Sequence, residues 1–183
     1  MDHAEAEVRL LDAAERLFYE RGIQAVGMDQ VRTASGVSLK RLYQVFPSKS
    51  ELVRACLDRR DRRWRARLAA YVEGRPEGEG RVLAVYDWLY DWFTEPDFRG
   101  CAFINAYGEL GAVDPEVADT VRAHKDAFRE YVAGLVADAG LPEPAVGPLV
   151  LLAEGAMTTA AISGSPEPAR QAGLGAARLL AAT

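Results

Sequence analysis

The side chains best suited to chemistry stand close together in the first third of the sequence, on one face of a short predicted helix. Arg41 and Gln44 are three positions apart, so they project from the same side of a helix. A guanidinium can make two hydrogen bonds to guanine, and a carboxamide can make two to adenine. This pair therefore favours recognition of base edges in double-stranded DNA.

The polar residues around this pair suit phosphate or helix capping. Tyr43 carries a phenolic hydroxyl, and Lys49 stands at the predicted start of the next helix, where the helix dipole favours an anion. Ser38 stands at the start of the short helix itself, where its hydroxyl can cap the first turn. The set predicted to face DNA is Ser38, Lys40, Arg41, Tyr43, Gln44 and Lys49.

Two short helices and a tight turn are needed to present these side chains. The spacing predicts a first helix from about Met28, with Val31 on its apolar face, and a second from about Leu39 to Phe46. Gly36 lies between them and can adopt the positive φ that ends a helix and redirects the chain. A helix, a glycine turn and a helix with an exposed cationic face indicate a helix-turn-helix, whose second helix lies in the major groove.

The TetR family of bacterial transcriptional repressors has a signature that resembles residues 34–52 of this chain, ASGVSLKRLYQVFPSKSEL. Its first helix and terminal glycine are similar to residues 10–22, LLDAAERLFYERG. The resemblance implies an all-α protein with an N-terminal DNA-binding domain. It also implies a C-terminal domain that encloses an inducer, and pairing of two copies through the C-terminal helices.

Two positions depart from the pattern of that family. Gly27 stands where the family usually has Ser or Thr at the start of the second helix, and Val45 stands where it often has His. Both of those family side chains commonly touch phosphate, so these two contacts are not carried over to this chain.

The charge is distributed unevenly, which matters more than the net value of −5. Residues 1–71 hold 14 Lys and Arg against 10 Asp and Glu, whereas residues 72–183 hold 8 against 17. Residues 36–68 hold 10 against 3. A basic N-terminal third on an acidic remainder is typical of a local nucleic-acid footprint. A solvated helix face is an equally good interpretation of most of the arginines at 59–67.

No pattern in the sequence supports catalysis. The chain has two histidines, His3 and His124, and no HExxH, GxSxG or phosphate-binding glycine loop. Cys56 and Cys101 have neither metal-ligand spacing nor a disulfide framework. We expect no metal and no cofactor, and a buried inert thiol at Cys101 with a redox-sensing thiol as the alternative.

The remaining segments predict helices and no strand. The first helix is expected from about Ala4 to Arg21, and a long fourth helix from Ser48, opened by a capping box, to about Tyr71. Further helices are expected at about 81–94, 98–110, 115–139, 145–162 and 166–181. The predicted fold is all-α, with a helix-turn-helix DNA-binding domain at 1–48. The long helix joins it to a helical effector-binding and dimerisation domain at 49–183.

The last two predicted helices are nearly free of charge, and a helix that is apolar all round is buried on all sides. Their small residues would permit close helix packing: Gly155, Ala156, Ala160, Ala161, Gly173, Gly175, Ala176 and Ala177. We expect a homodimer through these helices, because a helix-turn-helix on a palindromic site needs a two-fold partner. The alternative is that they form the core of a monomer.

Aromatic residues are dense between Tyr86 and Tyr107, where plain core and a ligand pocket are the competing interpretations. The residues predicted to line a pocket are Trp88, Trp92, Phe103, Asn105, Tyr107, His124, Phe128 and Met157. The predicted function is a cytoplasmic repressor that a small hydrophobic or aromatic effector releases from a double-stranded DNA operator. The alternatives are an activator or effector-independent DNA-binding protein and, less favoured, an all-α enzyme. No run approaches ~18 apolar residues, so no membrane association is expected.

Overall fold

The computed structural model describes residues 2–182, and within this range helices are joined by turns and loops, with no strand. The all-α prediction is therefore confirmed. The helices are α1 His3–Arg21, α2 Met28–Ser35, α3 Leu39–Val45, α4 Lys49–Glu73, α5 Glu79–Phe93, α6 Ala102–Leu110, α7 Pro115–Asp138, α8 Val146–Ser163 and α9 Glu167–Leu180. A single 3-10 turn, Glu143–Ala145, precedes α8.

Local sequence signals account for the ends of the first three helices. Asp2 caps α1 by accepting a hydrogen bond from the Glu5 N–H at 2.8 Å. Gly36 ends α2 in the left-handed conformation with φ of 68°, as the turn between α2 and α3 requires. Ser38 then caps α3 by accepting from the Arg41 N–H at 3.3 Å.

The sixth helix begins later than the apolar run suggests. The sequence predicts a helix from Phe98, but α6 begins at Ala102. Gly100 has φ of 87°, a conformation that a continuing helix cannot contain, and the Phe98 N–H bonds to the Glu95 carbonyl in a turn. Phe98 and Cys101 therefore lie in the non-helical segment before α6.

The chain divides into two compact units. The head unit comprises the chain up to Asp61 together with Ala102–Arg122, and the body unit comprises Arg62–Cys101 together with the chain from Ala123 onward. The division falls inside α4 and α7, so each of these helices contributes to both units. The predicted boundary between a DNA-binding domain at 1–48 and an effector-binding and dimerisation domain at 49–183 stays a prediction.

The core of the head unit is formed where α1, α2 and α3 pack against one another. Its side chains come from the predicted apolar faces and are buried: Leu10, Leu17, Phe18, Val31, Val37, Leu42 and Phe46. The Leu52 side chain on α4 is also fully buried. The short α3 is thus fixed by apolar packing on one side, which leaves its opposite side free for recognition.

The core of the body unit is formed by α5, α8 and α9, which all pack against each other. The Tyr86 hydroxyl on α5 donates to the Leu149 carbonyl on α8 at 2.8 Å, and burial raises the pKa of Tyr86. A Cβ added at Gly173 would lie 3.2 Å from the Tyr86 Cβ, and one at Gly175 would lie 3.4 Å from Leu152. These two glycines therefore serve packing inside one copy of the chain.

Helix α8 has both a buried and an exposed apolar face. Ala160 is 1% exposed, whereas Leu151 and Ile162 are 73% and 83% exposed. The segment Glu143–Ser163 is long and apolar enough to cross a membrane by length and composition alone, with 39% of its apolar window buried. A helix packed in a protein core or interface passes the same test, so this is weak evidence for a membrane span.

Each unit holds one cysteine, and both side chains are buried and outside any disulfide. In the body unit, Lys125 Nζ lies 3.4 Å from Cys101 Sγ and 2.6 Å from Glu154 Oε2. Cys101 is therefore packed against an ion pair with little access to solvent. Burial of Cys101 agrees with the structural interpretation of this thiol, and its redox behaviour stays a prediction.

Candidate nucleic-acid interface

Helix α3 presents its polar side to solvent because its opposite side is anchored. Leu42 is fully buried, whereas Lys40, Tyr43 and Gln44 are exposed and Arg41 is half-buried. The cap at Ser38 satisfies a backbone donor at the start of the helix. The exposed side of this short helix is thus held in a defined orientation.

Two of the predicted base-contacting side chains lie next to each other. Arg41 Nη1 is 3.4 Å from Gln44 Oε1, a weak hydrogen bond that aligns the guanidinium with the carboxamide. Arg41 Nε is buried and has no hydrogen-bond partner among the described residues. An open depression beside them is lined by Val37, Ser38, Lys40, Arg41 and Gln44. The structure therefore brings five of the predicted residues, all but Lys49, onto α3 and its cap.

Lys49 occupies a different environment from the α3 side chains. It is half-buried, and its Nζ lies 6.0 Å from the centroid of the Phe18 ring. Desolvation lowers the pKa of Lys49, and the negative charge of Glu109 opposes that change. The ammonium thus interacts electrostatically with the half-buried Glu109 carboxylate of the head unit, and its phosphate contact stays a prediction.

Glu109, at the end of α6, holds the turn that connects α1 to α2. Its Oε1 accepts from the Ile23 N–H at 2.9 Å, and its Oε2 accepts from the Gln24 N–H at 2.7 Å. The Gln24 side chain donates in turn to the Glu109 carbonyl. The sequence analysis missed this role. The available signal was a single acidic residue near the end of a short apolar helix. Its hydrogen-bond partners are 86 and 85 positions away in the sequence, so no local pattern identifies them.

A second polar link joins α4 to the start of α7 within the head unit. Asp114 caps α7 by accepting from the Val117 N–H at 3.1 Å, and its Oδ2 accepts from the Ser50 hydroxyl at 2.5 Å. The Ser50 hydrogen bond holds the pKa of Asp114 below its usual value, against a smaller opposing effect of desolvation. Arg54 also pairs with Glu116 at 3.1 Å. The segment after α6 is therefore tied to the helix that follows α3.

The predicted pocket residues divide between the two units. Trp88, Trp92, His124 and Phe128 meet in the body unit, where each ring contacts the ring of Trp64 at centroid distances of 5.0–5.8 Å. Trp64 was not among the predicted lining residues, although it is the one buried side chain among the charged residues at 59–67. Its indole occupies the centre of the group that it forms with these four rings, hereafter the aromatic cluster.

The other predicted pocket residues lie elsewhere. Phe103 is buried and Tyr107 is 48% exposed, and both belong to α6 in the head unit. Asn105, also on α6, lines a cavity in that unit. Met157 is buried on α8 in the body unit. The structure therefore brings four of the eight residues together in one cluster, and the role of all eight in ligand binding stays a prediction.

No group of three or more His, Cys, Asp or Glu side chains within residues 2–182 is arranged to hold a metal ion.

Comparison with known proteins shows which protein family shares this helical architecture. Residues 10–56 match the family described as bacterial regulatory proteins, tetR family. The crystal structure of a TetR-family transcriptional regulator from Streptomyces coelicolor is 36% identical, and the alignment covers 97% of this chain and 95% of that one with a TM-score of 0.87. The chain belongs to the TetR family. It is accordingly a DNA-binding transcriptional regulator with an N-terminal helix-turn-helix, and members of this family are transcription factors, not enzymes.

Two curated relatives of this TetR-family chain carry opposite functional names. The transcriptional activator FasR of Mycolicibacterium smegmatis is 33% identical over 136 residues, which are 73% of this chain and 60% of the relative. The transcriptional repressor ComR of Escherichia coli is 30% identical over 115 residues, which are 62% and 55% respectively. The chain thus spans less than two thirds of the length of the curated relatives that it matches.

Proposed function

We propose that this TetR-family chain is a homodimeric repressor that binds a palindromic DNA operator and is released by a small hydrophobic or aromatic effector. The observation that carries the proposal is the anchored α3, with Lys40, Tyr43 and Gln44 exposed beside Arg41. Under this proposal residues 1–48 make the DNA contacts, whereas residues 49–183 supply the effector site and the dimer contacts. The protein would act in the cytoplasm, where its DNA is.

The exposed apolar stripe on α8 supports dimerisation through the last two helices. Leu151, Gly155, Thr158 and Ile162 are exposed, uncharged and spaced three or four residues apart, so they share one side of the helix. Leu174 on α9 is a further exposed apolar side chain. A second copy that covers the same stripe forms a symmetric interface and places two α3 helices for two half-sites of one operator.

Repression requires less of the protein than activation does. A dimer that occupies an operator overlapping a promoter represses by excluding polymerase, whereas an activator must also contact the transcription machinery productively. The test is transcription in vitro from the chain's own operator–promoter fragment. Addition of the protein is expected to lower transcript yield, and a reproducible rise would show an activator instead.

The aromatic cluster supports the effector part of the proposal. An effector that takes the place of the Trp64 indole would be enclosed by Trp88, Trp92, His124 and Phe128. Trp64 belongs to α4, which runs without interruption from Lys49, just after α3, to Glu73. A 100-fold change in DNA affinity needs a coupling free energy of about 2.7 kcal/mol, and the effector must bind the DNA-incompetent state more tightly.

The experiment is a pair of titrations on the wild type, Trp88→Phe and Trp92→Phe, with operator DNA added in the presence and absence of effector. We expect both variants to bind DNA normally without effector and to respond less to it. Operator DNA must weaken effector binding by the same factor as effector weakens DNA binding, because linkage is reciprocal. Normal response in both variants would place the effector outside the aromatic cluster.

A further inference from the structure

The head unit contains a cavity that the DNA-binding face does not use. It is lined by α1 and the turn after it, by α4 and by α6, it is partly open to solvent, and its volume is ≈ 150 Å³. None of its lining residues belongs to α3 or to the aromatic cluster. The cavity is therefore a separate feature that DNA recognition leaves unexplained.

Most of its wall is apolar, and six of the thirteen lining residues are apolar side chains that are buried. The aliphatic part comes from Ile23, Val53, Leu57, Ala102 and Ala106. The rings of Phe18 and Tyr19 supply an aromatic side. An apolar cavity of about 150 Å³ in another protein accommodates a single benzene ring, so this volume suits one six-membered ring.

The charged groups at the cavity already have partners. Glu15 pairs with Arg59 at 2.5 Å, and the Arg60 guanidinium lies 4.0 Å from the centroid of the Tyr19 ring. The Glu109 carboxylate accepts from the N–H groups of Ile23 and Gln24. An anion in the cavity would face the carboxylates of Glu15 and Glu109 and only one guanidinium, that of Arg60, which already lies over the Tyr19 ring, so the cavity favours an uncharged molecule over an anion.

One polar interaction is still available to such a molecule. Each carboxylate oxygen of Glu109 takes one backbone N–H and can accept a second hydrogen bond. The exposed Asn105 carries its amide at the edge of the same cavity. A ligand with one hydroxyl donor can therefore bury its ring against the apolar wall and hydrogen-bond to Glu109.

We propose that this cavity in the head unit, bounded by α1, α4 and α6, is a binding site for an uncharged, single-ring aromatic alcohol of the phenol class. The site lies outside the aromatic cluster proposed for the effector. Its existence does not depend on the proposed repressor function, because ligand binding is measured without DNA.

The test uses full-length protein labelled with ¹³C at Ile, Leu and Val methyl groups, titrated with phenol. We expect saturable shifts at Ile23, Val53 and Leu57 with a dissociation constant on the order of 0.1–1 mM, as suits a ligand of about seven non-hydrogen atoms. Benzoate, which keeps the ring but carries a charge, should bind at least tenfold more weakly. The proposal is overturned if phenol shifts no methyl group at these concentrations, if the shifts centre on the body unit, or if benzoate binds equally well.

Two variants fill the cavity, and a third is their control. Ala102→Leu and Ala106→Leu place extra methyl groups at the cavity wall, whereas Ala112→Leu adds them at an exposed position of the same unit. We expect Ala102→Leu to weaken phenol binding at least tenfold and Ala112→Leu to leave it unchanged. Ala106 is fully buried, so its variant is used only if its thermal melt matches that of the wild type. Wild-type affinity in a folded Ala102→Leu protein would refute the site.

Discussion

The Oε1 atom of Glu109 accepts a hydrogen bond from the backbone N–H of Ile23 at 2.9 Å, although 86 positions separate the two residues in the chain. The other carboxylate oxygen accepts from the next N–H, that of Gln24. One side chain on α6 thus satisfies two backbone donors in the turn between α1 and α2. That turn precedes the helix-turn-helix, so its geometry affects how α2 and α3 are presented.

Replacement of Glu109 by Ala is expected to destabilise the protein by about 1–3 kcal/mol, because it leaves the buried Ile23 N–H without its charged acceptor. Urea denaturation monitored by circular dichroism measures this loss. Glu130→Ala, at an exposed position on α7, is the matched control and should change stability by less than about 0.5 kcal/mol. Equal stability of Glu109→Ala and the control would show that water replaces the carboxylate at no cost.

The variants Arg41→Ala and Gln44→Ala should each weaken operator binding by about 1–3 kcal/mol and relax sequence preference at one base pair. The physical reason is the loss of a paired hydrogen bond to a base edge. Binding to a library of operators with single base changes measures both effects. Arg129→Ala removes an exposed arginine from α7 and should alter neither. Uniform weakening on every sequence would assign Arg41 or Gln44 to phosphate.

If Lys49 contacts phosphate, Lys49→Ala lowers affinity nearly equally on all sequences and reduces the slope of log K against log salt by about one. The structure also supports a structural role for Lys49, because its ammonium lies near the Phe18 ring and is affected by the charge of Glu109. Titrations at several salt concentrations decide between them. An unchanged slope together with a lower melting temperature would assign Lys49 to the interior of the head unit.

A charge on the exposed stripe of α8 should separate the dimer. Ile162→Glu places a carboxylate where the proposed partner packs, and burial of an unpaired charge is costly. Light scattering is expected to report a monomer, and operator binding should fall with it. Val113→Glu, an equally exposed valine in the head unit, is the control and should remain dimeric. A dimeric Ile162→Glu protein would move the interface away from this stripe.

The Asp114 carboxylate should make stability depend on acid pH. Its pKa is lowered in the folded protein by the Ser50 hydrogen bond, so protonation favours unfolding. The stabilisation is fully present above the unfolded pKa, near 3.8, and is lost as pH falls through the lower folded value. Asp114→Asn mimics the protonated group, so it should be less stable than the wild type at pH 7. That difference should shrink below pH 3.8. A difference of constant size would exclude the charge as its cause.

The sequence predicted the helices well wherever the signal was local. Gly36, Ser38 and the apolar spacing around Leu42 place α2 and α3 to within one residue, because capping and amphipathicity act over single turns. The start of α6 was predicted too early. The residue types at 98–101 do not show that Gly100 adopts a positive φ.

The candidate sites were predicted less completely because they depend on contacts between distant segments. The link from Glu109 to Ile23 joins residues that no local pattern relates. Trp64 was not among the residues predicted to line a pocket, yet it lies at the centre of the aromatic cluster. The small residues Gly173 and Gly175 were expected to serve the dimer, but they pack against Tyr86 and Leu152 of the same copy. Similarly, Ala160 is buried within one copy of the chain, so a charge there would test folding and not the interface.

Because each unit contains one buried cysteine, the opening of each unit can be followed separately by the alkylation of its thiol. Cys56 lines the cavity of the head unit and Cys101 belongs to the body unit, and both side chains are 5% exposed, so opening of a unit should speed alkylation of its thiol. The alkylation rate of each thiol in native buffer therefore reports the opening free energy of its own unit. Operator DNA should slow the Cys56 reaction by stabilising the head unit, and mass spectrometry of the two peptides separates that effect from any change at Cys101.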